Sequence, residues 1–303
     1  MTISPFQLRL VVLFIVITTL FVVFEYLPWA NLKSSIDIIN QQQPASTTPP
    51  VFQTPKLEAK GVVVYDSKQD KVLYGQNEDK ALPLASITKI MTALLGYEYL
   101  DPEQKITITN QDLIMGSNAG LEANKTWLYH DLADFMLTTS SNGAAVAIAT
   151  ALTSKTGTSF ETLANNKARE LNLNSLSYRN PTGLDQNGGP GAIGSPTDVA
   201  KLMSYVATYK VDLLSSTKWS SLKKTTTDGS TIYGTNTNLI VKTIPGFIGS
   251  KTGFTDLAGG NLTTIFDVSI NRPVVVVVLG SSPNGRFTDM QKLITETLNI
   301  LAK

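Results

Sequence analysis

Ser86-Ile87-Thr88-Lys89 sets a hydroxyl and an amine three residues apart. On a helix that spacing puts both side chains on one side. The amine can then take the hydroxyl proton while the serine attacks a carbonyl carbon, which is acyl transfer through a serine ester. Lysine is a base only when neutral, and burial favours the neutral form. Two more strings could complete such a site. Ser140-Ser141-Asn142 offers a hydroxyl and an amide two residues apart. Lys251-Thr252-Gly253 offers a cation, a hydroxyl and a residue whose bare backbone a substrate can approach closely.

Each string has competitors. Ser-x-x-Lys also starts at Ser215, Ser220 and Ser221, Ser-x-Asn also at Ser282, and Lys-Thr-Gly also at Lys155. The elements around them decide. Ser86 to Leu100 is apolar on most sides and reads as a buried helix, which would desolvate Lys89. Its positive N-terminal end acts in the same direction. The polar stretch around Ser215 to Lys224 reads as solvated surface. Lys155-Thr156-Gly157 follows the small-residue helical run Gly143 to Leu152, with Gly157 placed to end it, so this copy reads as a turn between helices. Lys251 lies in the strand-like GFIGSKTGF, whose backbone N–H groups can line a cleft. Ser140 and Asn142 would face one side of an extended turn, and taken alone they are equally an ordinary helix cap.

The wider pattern supplies the frame. Gly61 to Gly75 reads as two strands around a polar turn, and strand patterns return after Thr231 through RPVVVVVLGSS. Helical patterns cover His130 to Ser140, Gly143 to Leu152 and Phe160 to Leu171, the last from a capping box at Thr158 and Glu161. A further helix starts at Ser195 with Pro196 in its first turn, and Phe287 to Leu301 is amphipathic. Strands at both ends and helices between them predict an α+β fold, one mostly antiparallel sheet carrying the terminal helices, with a helical lobe beside it. The folded domain is expected over 57–303, after a Pro/Gln/Ser/Thr-rich disordered linker at 34–56. The run Leu10 to Phe24, within a segment 1–33, is expected to be a membrane anchor or signal segment. No small-x-small cleavage site follows it, which favours an uncleaved anchor, and Arg9 with the amino terminus favours a cytoplasmic N-terminus and the remainder outside the cell.

The 303 residues carry a net charge of +1 with no basic cluster, so nucleic acid is not an expected partner. With 0 cysteines and 1 histidine, thiol catalysis and multi-histidine zinc sites are excluded.

In order and approximate spacing the three strings resemble those of the penicillin-recognising serine enzymes. PLASITKIMTALL, TTSSNGAAVAIA, NNKARELNL, YRNPTGLD, YGTNTNLI and PGFIGSKTGFTDLAGG are similar to segments of the D-alanyl-D-alanine carboxypeptidases, the low-molecular-mass penicillin-binding proteins of serine peptidase family S11. The likeness runs from about Lys60 to Leu301. It implies a serine β-lactamase/DD-peptidase-like fold, no cofactor or metal, and an enzyme of the bacterial cell envelope at the outer face of the plasma membrane, or secreted if the segment is cleaved. Its substrate would be the peptidoglycan stem peptide, with β-lactams as covalent inhibitors. Ser86 would be the acylated nucleophile, Lys89 its base, and Ser140 the proton relay to the departing D-alanine. Asn142 would hold the substrate amide, while Lys251 and Thr252 bind its terminal carboxylate beside Gly253. The N–H groups of Ser86 and Phe254 would form the oxyanion hole. Many members carry a C-terminal β-rich domain and amphipathic anchor that this sequence does not show before Lys303, and Gly143 stands where many have Asp.

Other readings remain. The same machinery serves a D-alanyl-D-alanine endopeptidase acting on crosslinks. A class A-like β-lactamase would use Glu170 in the string Glu170-Leu171-Asn172-Leu173-Asn174, although that string ends a helical pattern. A Ser-His-Asp hydrolase would need His130, and no G-x-S-x-G elbow is present. A wall-binding domain without catalysis is the remaining class.

Overall fold

The computed structural model describes residues 13–20, 22, 52, 55–210 and 212–301. The chain divides into Met1–Val51 and Phe52–Lys303. In the first unit residues 13–20 are helical with exposed side chains, and no described helix is long and apolar enough to cross a membrane. Apart from Val22 the remainder of the expected anchor lies outside the described residues, as does the expected linker apart from Phe52, Pro55 and Lys56.

Valine runs build the second unit. β1 (Gly61–Asp66), β2 (Lys71–Gln76), β10 (Phe247–Thr255), β11 (Gly259–Asp267) and β12 (Pro273–Ser281) form one sheet in the order β10-β11-β12-β1-β2. Every neighbouring pair is antiparallel. β1 and most of β12 are buried, which is why both read as continuous apolar runs without alternation. The alternation is between two cores. Val62, Val64, Val274, Val276 and Val278 pack with Met290 and Leu293 of the last helix, α7 (Gly285–Leu301). Val63, Val275, Val277 and Leu279 join the core of the helical lobe. Phe52 stacks on Tyr74 with ring centroids 4.4 Å apart, so packing starts before the expected Leu57.

The lobe contains α1 (Lys89–Tyr99), α2 (Tyr129–Thr139), α3 (Asn142–Thr156), α4 (Phe160–Glu170), α5 (Pro196–Tyr209) and the short α6 (Asp212–Ser215). The short strands β3 (Leu82–Pro83), β4 (Lys105–Thr107), β5 (Thr126–Leu128), β6 (Ser177–Tyr178) and β7 (Ala192–Gly194) fall between β2 and α5 in the chain. Residues Lys89 to Gly96 of α1 are all buried, as the all-round apolar pattern requires. Burial of Ile90, Met91, Leu94 and Leu95 stabilises the fold by about 1.5–3 kcal/mol each. That gain holds Lys89 in the core against the cost of desolvating it.

Three local expectations differ. α4 is capped by Ser159, whose hydroxyl accepts from the Thr162 N–H, and not by Thr158. The stretch read as solvated surface contains a strand, β8 (Ser221–Thr225), paired with β9 (Thr231–Thr235). Within it Lys224 is well covered and bridges Asp131 at 2.7 Å and Asp134 at 2.6 Å. Residues three apart on a strand face opposite sides, so Ser221 and Lys224 cannot form the pair their spacing suggested. Gly157 ends α3 in the left-handed region as expected, at φ 68°.

Candidate active site

The turn that carries Ser86 is held under strain. Ala85 has φ 49°, in the left-handed region that a residue with a Cβ seldom adopts. Asn261 of β11, fully buried, donates its amide to the carbonyls of Pro83 at 2.9 Å and Leu84 at 3.0 Å. Thr88 donates its hydroxyl to the Ala85 carbonyl at 2.7 Å. Gly183 packs so close that a Cβ there would overlap that carbonyl. Ala85–Thr88 is therefore a 3-10 turn, and Lys89 is the first residue of α1. Ser86 precedes the α-helix and does not open it. The change helps the pairing, because side chains three apart on a 3-10 turn eclipse one another.

Lys89 is fully buried with its Nζ 2.7 Å from Ser86 Oγ, 2.8 Å from Asn142 Oδ1 and 3.0 Å from the Thr182 carbonyl oxygen. Burial pushes its ammonium down to about 7. A neutral amine has two N–H donors and one lone pair. The Asn142 and Thr182 oxygens can only accept, so they take the two hydrogens. The lone pair is left for the Ser86 hydroxyl, the arrangement a general base needs.

Ser140 and Asn142 meet this cluster from both sides of a helix junction. The intervening Ser141 caps α3 by accepting from the Ala144 N–H, so the capping role falls to it. Ser140 ends α2 at φ 62°, and its Oγ accepts from Lys251 Nζ at 2.8 Å. Asn142 donates its amide to the Gly116 carbonyl at 3.2 Å, which fixes its oxygen on Lys89. Asn142 thus braces the base here, with one amide hydrogen left over.

β10 supplies the opposite wall. Lys251 is buried, with Nζ also donating to the Thr252 carbonyl at 2.9 Å. Burial, then the neighbouring charges of Lys89 and Arg286, hold its ammonium well below the usual lysine range. Thr252 Oγ1 lies 2.6 Å from Thr237 Oγ1. A Cβ on Gly253 would sit 2.8 Å from the Leu84 carbonyl and 3.1 Å from the Ser86 nitrogen, so only glycine lets this strand close on the nucleophile turn. Phe254 presents a half-exposed ring at the strand's end. Thr182 and Thr237 lie in the family-like segments YRNPTGLD and YGTNTNLI without a role assigned to either, and Asn261 and Arg286 carry no sequence motif that would have flagged them. Arg286, in the first turn of α7, donates to the Gly253 carbonyl at 2.7 Å from 33 residues away.

The competing residues lie elsewhere. Lys155 is exposed at the end of α3. Glu170, expected in the β-lactamase reading, is mostly exposed on α4 and pairs with Lys167 at 2.7 Å. His130 contacts the Pro102 carbonyl and lies beside Glu103 and Asp131, and no bond joins it to Ser86.

Comparisons with known proteins agree with this geometry. The profile of a family described as D-alanyl-D-alanine carboxypeptidase, peptidase S11, matches residues 46–283. The chain is 31% identical over 243 residues to the D-alanyl-D-alanine carboxypeptidase DacF of Bacillus subtilis, covering 78% of this chain and 61% of that protein's length. It is 30% identical over 242 residues to a D-alanyl-D-alanine endopeptidase of Pseudomonas aeruginosa, covering 77% of this chain and 74% of the relative. Among solved structures, penicillin-binding protein D2 of Listeria monocytogenes, with ampicillin bound, superposes with a TM-score of 0.68 at 28% identity. That likeness covers 80% of this chain and 98% of the Listeria chain.

Proposed function

The chain belongs to the D-alanyl-D-alanine carboxypeptidase family, peptidase S11, and on that premise we propose that it removes the terminal D-alanine from peptidoglycan stem pentapeptides. The observation that carries the reading is the Lys89 nitrogen, 2.7 Å from Ser86 Oγ with both its hydrogens committed elsewhere. Ser86 Oγ attacks the carbonyl carbon of the penultimate residue, and its proton passes to Lys89. The N–H groups of Ser86 and Phe254 hold the oxyanion. Collapse breaks the C–N bond, and the leaving amine takes a proton through Ser140. Water then hydrolyses the ester and restores Ser86. Lys251 and Thr252 hold the substrate's carboxylate beside Gly253, and that anion favours the charged form of Lys251 against burial. β-Lactams acylate the same serine as covalent inhibitors. The apolar run Leu10 to Phe24 holds the enzyme at the outer face of the plasma membrane.

The test is product analysis with the full chain. A pentapeptide ending in D-Ala-D-Ala is expected to release free D-alanine, and Ser86→Ala to release none. Endopeptidases of comparable identity make the second reading specific. Splitting of a crosslinked dimer without D-alanine release from the pentapeptide would establish it instead.

A further inference from the structure

We propose that Asn118 is a positioning residue: through the loop 113–118 it turns the Asn142 amide so that its oxygen faces Lys89, which leaves the Lys89 lone pair to Ser86. This rests on the reading of the site as a serine acyl-transfer centre and extends it to a residue outside the three motifs.

Three successive carbonyls of this loop close on the Ser141-Asn142 corner. Gly116 accepts from the Asn142 side-chain amide at 3.2 Å, Ser117 from the Asn142 backbone N–H at 3.1 Å, and Asn118 from the Ser141 hydroxyl at 3.1 Å. The Asn118 side chain locks them there. Its Oδ1 accepts from the Gly143 N–H at 3.1 Å, and its Nδ2 donates to the Leu113 carbonyl at 2.9 Å. The Gly143 N–H is one of the donors that the first turn of α3 cannot satisfy by itself. Gly143 also leaves room for the contact, since a Cβ there would sit 2.8 Å from Asn118 Oδ1. Burial does little to hold the loop. Residues 114–117 are exposed, and Gly116, Ser117, Ala119 and Gly120 have φ of 66°, 51°, 56° and 86°. Ser117 and Ala119 carry a Cβ, so this conformation is strained for them and persists only where bonds impose it.

The orientation of the Asn142 amide decides what Lys89 can do. With the oxygen on Lys89, the neutral amine donates one hydrogen to Asn142 and one to the Thr182 carbonyl, and its lone pair faces Ser86. Turned over, the amide would present N–H to Lys89, and the lone pair would accept from it. The amide oxygen would then face the Gly116 carbonyl, acceptor against acceptor. The Gly116 carbonyl therefore selects the working orientation, and Asn118 holds that carbonyl in place. By accepting from Lys89 the same amide oxygen favours its charged form, against the burial that disfavours it. Lys251 of β10 faces Lys89, with Arg286 of α7 near it, and the substitutions below change neither.

The experiment measures the benzylpenicillin acylation rate of the full chain against pH for wild type, Asn118→Ala, Gly143→Ala and the double variant. Asn118→Ala is expected to be about tenfold slower on the high-pH plateau, the scale of two lost hydrogen bonds, with its midpoint moved to lower pH. Gly143→Ala pushes Asn118 away from the other side and is expected to give the same two changes. The double variant is expected to be no slower than the slower single one, because both break one contact. A midpoint that stays in place would show that the loop merely supports the fold. One that moves to higher pH would show that it merely keeps water from Lys89. Either overturns the proposal alone, as does an unchanged plateau rate or single losses that multiply in the double variant. A wild type that is not acylated overturns the parent reading, and the proposal with it.

Discussion

The tripeptide Lys-Thr-Gly occurs twice in this chain, and the two copies have the same chemistry in different surroundings. At Lys155 it closes α3: the lysine is exposed, and Gly157 turns the chain through the left-handed region. At Lys251 it lies inside a five-stranded sheet: the lysine is buried, its nitrogen reaches Ser140, and Gly253 closes on the Ser86 turn. Both glycines are required, one for its φ and the other for its missing side chain. The difference teaches that the reactive properties come from placement. Burial and neighbouring charges hold Lys251 below its usual range, and burial alone lowers Lys89 to about 7.

The largest expected effect sharpens the role of the buried lysines. Lys89→Ala removes the only amine in contact with Ser86 among the described residues, and acylation by benzylpenicillin is expected to fall by about 10²–10⁴-fold, the usual worth of a general base. Retained melting temperature would show that the loss is chemical, and near-normal acylation would break the assignment. A smaller effect follows from the direction of the shift. Lys89 is charged below about 7 and neutral above it, and only the neutral form accepts the Ser86 proton. The acylation rate is expected to rise about tenfold per pH unit below that point and level off above it. A rate independent of pH from 5 to 9 would contradict a lysine base.

Much of this was legible in the sequence, for identifiable reasons. The runs VVVY and VVVVV are short and β-branched, which is why both read as strands, and the structure places them side by side in the sheet. Lys89 was legible because an apolar helix buries what it carries, and Ser86 because it stands three residues before that lysine. What escaped notice reaches the site over long range or through the backbone. The Thr182 carbonyl that orients Lys89 has no side-chain signature. Arg286 reads as an ordinary residue at a helix start, and only the packing of α7 on the sheet brings it to Gly253. β8 was missed because its lysines, serines and threonines look solvated, while the Asp131 and Asp134 that neutralise Lys224 lie about ninety residues away. The Ser159 cap was displaced by one residue because adjacent Thr158 and Ser159 are both capping types, and only the local backbone geometry chooses between them.

The most direct test sets the two copies against each other. Intact-mass time courses of the full chain with benzylpenicillin would be recorded for wild type, Lys155→Ala and Lys251→Ala. Lys155→Ala is expected to form one adduct on Ser86 at the wild-type rate, while Lys251→Ala slows by about 10²-fold or more, the scale of losing an electrostatic contact in the site. Equal losses in the two variants, or a loss confined to Lys155→Ala, would contradict the claim that placement in the sheet makes the second copy the working one.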